Sequence, residues 1–462
     1  MVFVKSIRPA AVGTALIAAL APKDLNISDP TSIKGVAKTI AANTMSYYTG
    51  TETKFADLPQ PHYWWQAGAL MGSMLDYSHY TGDTTYDKLI ARALLDQVGP
   101  DFNYMLPSHF GQEGNDDQAF WGFSVLSAAE TNFPHPDENV PSWLTLGENL
   151  WNSLHSRWGI SGACNGGLLW QIFPQNPNGL DYINTVSNGG FFQISARLAR
   201  ATGNKTYADW AEKIYDWTEA VGMIDASGNV HDGASAKKNC TDTNPLTFSY
   251  SAAIYLYGAA VMADVTADQR WTNRATKILD ASKSFFGPFP NATNIMYEHA
   301  CEQVGTCNAD MRSFKAYFSR FAYKSTVFVP SLQETIQEFW WPSVQAAVKT
   351  CADGTRNKCG QRWYTQQYDG RGGLGEEMSA LETVQGLLVG LGQTQGPLKG
   401  DQIKTVREFG GSAASKPEPT KTAGDKSASA VGVEQTEQSS RAASVRRGVR
   451  MLRGWSRRGG LA

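Results

Sequence analysis

From about residue 32 to residue 392, apolar side chains recur three and four positions apart, in runs long enough for several helical turns, separated by Gly-, Asn- and Pro-rich breaks. That spacing is the helical period, and the two-residue alternation of a half-buried strand is scarce. The pattern predicts helices over residues 33–48, 66–80, 85–98, 116–131, 142–158, 183–202, 207–221, 247–263, 267–285, 311–323, 332–349 and 375–391. A dozen helices joined by short loops pack as successive hairpins, so the expected body is all-α and closed into a ring of helix pairs. An internal echo agrees: Tyr-Thr-Gly-Asp-Thr-Thr-Tyr at 80–86 recurs as Ala-Thr-Gly-Asn-Lys-Thr-Tyr at 201–207. In each copy Gly can end one helix in the left-handed conformation and Thr can start the next.

The flanks read differently. Lys5 and Arg8 precede an apolar run over 10–21 that ends in Ala19-Leu20-Ala21, the pattern of a secretory signal. As a helix that run measures about 18 Å, against a hydrocarbon core of roughly 30 Å, so it is expected to be removed rather than to span. The boundaries drawn are therefore a signal at 1–21, the helical domain at 29–392, and a polar tail at 393–462. The tail is rich in Ser, Ala, Lys, Glu, Pro and Gly, which bury too little apolar surface to offset ordering, and it is expected to be disordered. Its Arg-rich end (Arg441, Arg446, Arg447, Arg450, Arg453, Arg457 and Arg458) could touch an anionic surface, but no apolar face accompanies the charges, so it reads as solvated.

A formal charge of -2 over 462 residues gives no field to attract nucleic acid or an anionic membrane, so an uncharged partner fits best. Export permits disulfides, and the cysteines number six. Zinc is the alternative, although no C-x-x-C spacing occurs. The close pairs Cys301/Cys307 and Cys351/Cys359 read as loop staples, leaving Cys164 with Cys240. Sequons at Asn26, Asn204, Asn239 and Asn291 agree with export.

Chemistry concentrates in Gly111-Gln112-Glu113-Gly114-Asn115-Asp116-Asp117, where two neighbouring carboxylates open a helix behind an Asn cap. Acidic residues in a first turn are ordinary, because they answer the helix dipole. Glycoside hydrolysis, however, needs two carboxyl groups in different protonation states. Like charges held close cannot both ionise easily, so an adjacent pair retains one proton. Gly370-Arg371-Gly372-Gly373-Leu374-Gly375 fits G-x-G-x-x-G in form, but no strand precedes it and it reads as a loop. The seven His are scattered, and no metal or cofactor is expected. The aromatic clusters at 63–65, 120–121, 169–170 and 339–341 suit sugar stacking, although most such rings should be core.

Several segments together resemble glycoside hydrolase family 76, the endo-α-1,6-mannanases. They are Gly114-Asn115-Asp116-Asp117-Gln118-Ala119-Phe120-Trp121; Gly166-Gly167-Leu168-Leu169-Trp170-Gln171 with Asn184 and Ser187-Asn188-Gly189; and Met378-Ser379-Ala380-Leu381-Glu382. Met296-Tyr297-Glu298, Cys301-Glu302 and Phe314-Lys315-Ala316-Tyr317-Phe318-Ser319-Arg320 are most similar to the fungal cell-wall branch. The likeness runs over 29–392. It implies an (α/α)6 barrel and retaining hydrolysis of α-1,6-mannan or mannoprotein glycans, with Asp116 as nucleophile and Asp117 as acid/base. It also implies a secreted, cell-wall or cell-surface location. Trp170, Asn184, Asn188, Tyr250 and Tyr368 are the candidate cleft residues from the same loops. The chain departs from many fungal relatives in ending in an Arg-rich tail instead of an anchor signal. It departs from the bacterial branch in Phe248-Ser249-Tyr250-Ser251-Ala252-Ala253. Transglycosylation onto wall polysaccharide and non-catalytic glycan binding are the competing functions.

Overall fold

The computed structural model describes residues 17–176, 179–352 and 354–406. In chain order its helices are α1 (Pro30–Met45), α2 (Trp64–Thr81), α3 (Asp87–Asp96), α4 (Asn115–Glu130), α5 (Trp143–Ser156), α6 (Thr185–Thr202), α7 (Lys205–Ala220), α8 (Ser249–Thr266), α9 (Gln269–Ala281), α10 (Phe314–Ser325), α11 (Gln333–Thr350) and α12 (Leu374–Gly390). Each overlaps one of the helices predicted from periodicity.

Burial divides them into two sets. On α8 every residue from Ser251 to Met262 is buried, whereas α9 buries only Trp271, Ala275, Ile278 and Leu279, one stripe at helical spacing. The even-numbered helices are the inner set. Neighbours pack in sequence from α2 through α4, α6, α8, α10 and α12, and α12 packs back on α2. The odd-numbered helices lie outside: α1 on α12, α3 on α2, α5 on α4 and α6, α7 on α6, α9 on α8, and α11 on α12. This is the expected all-α toroid of six hairpins. Each fully buried Ile or Leu of an outer stripe contributes about 1.5–3 kcal/mol relative to exposure.

The repeated turn behaves as expected in one half only. Gly82 (φ 77°) and Gly203 (φ 70°) end α2 and α6 in the left-handed region. Asn204, not the Thr, is the N-cap of α7, whereas α3 starts behind Tyr86 with no side-chain cap and Asp83 bonds within the turn before it. Asn204 Oδ1 accepts from Thr206 N at 2.9 Å and Asp83 Oδ1 from Thr85 N at 3.0 Å, because a short side-chain oxygen reaches the N–H two residues on.

Inside the ring, charged side chains from different inner helices are buried together. Arg320 of α10 bonds Asp76 of α2 at 2.8 Å, Lys324 reaches the same carboxylate at 2.8 Å, and Arg197 of α6 bonds Glu130 of α4 at 2.8 Å. These pairs fix which helix faces which, since a charge left unpaired there is strongly destabilising.

Strands are few. β1 (Tyr182–Asn184), β2 (His231–Ser235) and β3 (Thr243–Thr247) form an antiparallel sheet in that order, and β4 (Phe286–Phe289) pairs with β5 (Ala292–Met296). Both sheets interrupt helix-to-helix connections, where stretches of three to five residues carry too little pattern to announce a strand.

All six cysteines are bridged, as Cys164–Cys240, Cys301–Cys307 and Cys351–Cys359, which removes the zinc alternative. The four sequon asparagines are exposed. Hydrogen bonds to the inner helices and the loop after α4 continue beyond residue 392. Leu398 N donates to Glu130 O at 2.8 Å, Arg200 Nη1 to Pro397 O at 2.9 Å, and Asn132 Nδ2 to Gln402 O at 2.9 Å, so backbone contacts hold a segment whose composition alone read as loose. Residues 1–16 of the expected signal, and the Arg-rich end, lie outside the described residues. Among the described residues no helix is long and apolar enough to cross a membrane.

Candidate active site

Asp116 and Asp117 stand in the first turn of α4, and the turn is built around them. The N-cap is Gly114, not Asn115. Asp117 Oδ2 accepts from Gly114 N at 2.6 Å, which turns the Asp117 carboxyl back over the helix start. Asp117 N in turn donates to Asp116 Oδ1 at 3.1 Å. A Cβ on Gly114 would stand 2.5 Å from Asp116 Oδ1 and 2.9 Å from Trp170 O, so no larger residue fits there without moving the doublet. Asn115, freed from capping, ties the turn to the neighbouring segment. Its N–H donates to Trp170 O at 2.9 Å, its Nδ2 donates to Leu169 O at 2.8 Å, and its Oδ1 accepts from Arg157 Nε at 2.7 Å.

That segment, 168–171, lies between α4 and β1, since Trp170 N donates to Tyr182 O at 2.7 Å. β1 runs straight into α6 through Asn184, which performs two tasks. Its Oδ1 caps α6 by accepting from Ser187 N at 3.2 Å, and its Nδ2 donates to Asp116 Oδ2 at 2.9 Å. Capping fixes the amide's orientation, so the donor always faces the carboxylate.

The doublet opens into a cavity of about 380 Å³ lined by Tyr63, Trp65, Phe120, Trp170, Tyr250, Asp310 and Phe314 among others. Trp65, Asp116, Val186, Tyr250 and Phe314 come from the first turns of five inner helices, so the cavity sits where those N-termini converge. Tyr250 and Phe314 stack at 3.8 Å with planes 15° apart, and Trp65 packs on Phe120 at 4.5 Å. Aromatic faces beside carboxyl groups suit a sugar, whose C–H face stacks while its hydroxyls bond.

Electrostatics separate the two acids. Burial raises the Asp116 carboxyl to about 7, while the hydrogen bonds from Asn184 and Asp117 N pull it down. Burial and then the Asp116 charge hold Asp117 well above the usual carboxylate range. The pair titrates as a unit, and its first proton belongs on Asp117.

Of the residues expected in the cleft, Trp170 and Tyr250 line it and Asn184 reaches it through Asp116. Asn188 does not. It is fully buried, holding Leu168 by an Oδ1 that accepts from Leu168 N at 2.8 Å and an Nδ2 that donates to Leu168 O at 3.1 Å, so it shapes the segment from behind. Tyr368 is also absent from the cavity wall, with its hydroxyl beside Gly372 in the loop before α12. The sequence reading missed Asp310, because a lone acid before a helix carries no pattern.

Residues 32–400 match Glycosyl hydrolase family 76 over most of the chain. The chain belongs to glycosyl hydrolase family 76. Within this family it is 43% identical over 369 residues to mannan endo-1,6-alpha-mannosidase DCW1 of Candida glabrata, covering 78% of this chain and 80% of that one. It is 42% identical over 370 residues to the Saccharomyces cerevisiae protein of the same name, with the same coverage. Among solved structures, Dfg5 from Chaetomium thermophilum in complex with glucosamine superposes with a TM-score of 0.77 at 39% identity, over 83% of this chain and 96% of that one. An inactive variant of the Salegentibacter α-1,6-mannanase GH76A, in complex with α-1,6-mannotriose, gives 0.62 at 18% identity over 78% and 99%. At that identity the likeness concerns the fold. The family-76 assignment makes the chain a glycosidase.

Proposed function

We propose that this glycosidase cleaves α-1,6-mannosidic linkages in the interior of cell-wall mannan or mannoprotein glycans, with retention of configuration, outside the cell. The observation that carries the reading is the unequal treatment of two adjacent carboxyls in one cavity. Asp116 receives two hydrogen bonds that favour its anion, whereas Asp117 receives one, from Gly114 N, and faces the Asp116 charge, so the proton stays on Asp117.

In the first step Asp116 attacks the anomeric carbon as the glycosidic C–O bond breaks, and the Asp117 proton passes to the leaving oxygen. The charge that develops on the ring is oxocarbenium-like and lies between carboxylates. In the second step Asp117, now the base, takes a proton from water as the water oxygen attacks the anomeric carbon and the ester to Asp116 breaks. Trp170, Tyr250 and Phe314 supply stacking faces, and Asn184 orients the nucleophile.

The names of the relatives support the linkage, and in the Salegentibacter variant it is two consecutive aspartates that have been changed to asparagine. Four exposed sequons and three disulfides support the location. The test is incubation with linear α-1,6-mannooligosaccharides, with proton NMR of the first-formed anomer. The α-anomer is expected from the wild type, and a loss of at least about 10³-fold in kcat/KM from Asp116→Asn and from Asp117→Asn. Transfer products appearing on addition of an acceptor glycan would assign the glycosyl-enzyme to transglycosylation. Near-wild-type rates in either variant would refute the assigned roles.

A further inference from the structure

A third carboxyl enters the cavity from the segment leading into α10. Asp310 lines the same wall set as Asp116 and Asp117. Its backbone is pinned, with its carbonyl accepting from Ser313 N at 2.9 Å and from Ser313 Oγ at 2.7 Å, and Tyr317 OH bonding Ser313 Oγ at 3.0 Å. The preceding carbonyl, Ala309 O, accepts from Gln66 Nε2 at 3.4 Å. The side chain is therefore aimed by both α2 and α10. The Trp65 side chain favours its anion, and Oδ1 is buried with no partner.

Among the described residues that line the cavity none is Lys, Arg or His. Three acids thus share one enclosure with no cation among its walls, and each anion there makes the next proton harder to remove. The titratable groups facing Asp310 are Asp116 and Asp117 from α4, Tyr250 from α8 and Tyr317 from α10; each feels its charge. The two tyrosines stay neutral, so the charge acts on the doublet.

We propose that Asp310 is a positioning residue for the catalytic pair, its anion acting across the cavity to keep one shared proton on the pair. The inference rests on the roles proposed above for Asp116 and Asp117. Burial raises Asp310 itself only to about 6, so it is charged at neutral pH, where the pair must still hold one proton. Asp310 makes no covalent bond and gives up no proton in the cycle.

The test is the pH dependence of kcat/KM on an α-1,6-mannooligosaccharide for wild type, Asp310→Asn and Asp310→Glu. Removing a like charge lowers the proton affinity of both partners. Asp310→Asn should therefore move the alkaline limb, where Asp117 loses its proton, down by about one pH unit. The acid limb, where Asp116 ionises, should move the same way. Asp310→Glu restores the charge and should return the profile to that of the wild type. A profile for Asp310→Asn that superimposes on the wild type after uniform scaling overturns the proposal, because a merely structural role would lower the rate at every pH alike. If Asp310→Asn does not fold, Asp310→Ser, also neutral and smaller, is read the same way. Active Asp116→Asn or Asp117→Asn enzymes would instead sink the assignment of the pair, independently of where the Asp310 limbs fall.

Discussion

Asn184 Nδ2 donates to Asp116 Oδ2 at 2.9 Å across 68 residues of sequence, while its Oδ1 caps α6. The start of α6 thus holds the first acid of α4, the inner helix before it. Asn184→Ala removes a bond that lowers the Asp116 proton affinity. The acid limb of kcat/KM should move to higher pH, opposite to the shift expected for Asp310→Asn, and the rate at the optimum should fall roughly 10- to 100-fold. A pH–rate profile reads both.

The segment that carries Trp170 is anchored at one end by Cys164–Cys240, which closes 76 residues. Trp217 Nε1 donates to Cys164 O at 2.8 Å beneath it. Replacing both cysteines by Ser should lower stability by about 2–5 kcal/mol, measured by denaturant unfolding under non-reducing conditions.

Asp76 and Arg320 are buried partners, and the Arg320 and Lys324 charges outweigh burial to hold Asp76 down at about 2. A folded value below the usual one means that the pair stabilises above about pH 4 and loses that contribution as pH falls towards 2. Arg320→Met leaves the buried carboxylate with Lys324 alone and should cost about 3–5 kcal/mol at pH 7. Gly72→Ala should reproduce part of that loss, about 1–3 kcal/mol, because its Cβ would stand 2.5 Å from Arg320 Nη1 and 2.4 Å from Ser124 Oγ. Chemical denaturation at pH 7 compares the two.

Glu298 gives the opposite sign. Burial, and then the charge of Glu302, push it up to about 8, and its Oε2 accepts from Ser249 Oγ at 2.5 Å. A carboxyl raised in the folded state stabilises fully below its unfolded value near 4.5, and that contribution is lost as pH rises through 8. Glu298→Gln, which keeps the acceptor and cannot ionise, should gain on the order of 2 kcal/mol over wild type at pH 8 and little at pH 5. Melting temperatures at the two pH values check this.

What the sequence determined by itself was the part that is local. The one-sided stripe of α9 and the continuous burial of α8 both follow from the 3.6-residue period, so twelve helices and their hairpin order were legible. So was Asp116-Asp117 as a doublet opening a helix, since neighbours in the chain remain neighbours in space. Pairing Cys164 with Cys240 needed only the two short staples to be assigned first.

Only the tertiary structure decided which residues meet at the converging helix N-termini. Asn184 and Asn188 lie one helical turn apart and look equivalent in sequence, yet one faces Asp116 and the other turns to Leu168, because a turn of α6 separates the cleft from the packing behind it. Asp310 joined the doublet although some two hundred residues separate them, and the segment 393–403 was held by hydrogen bonds to Asn132, Arg200 and Glu130, with Ile403 packed against the core. Periodicity reports the face a residue presents to its own helix; a cleft is assembled from the ends of several helices, and the ends are where the period stops.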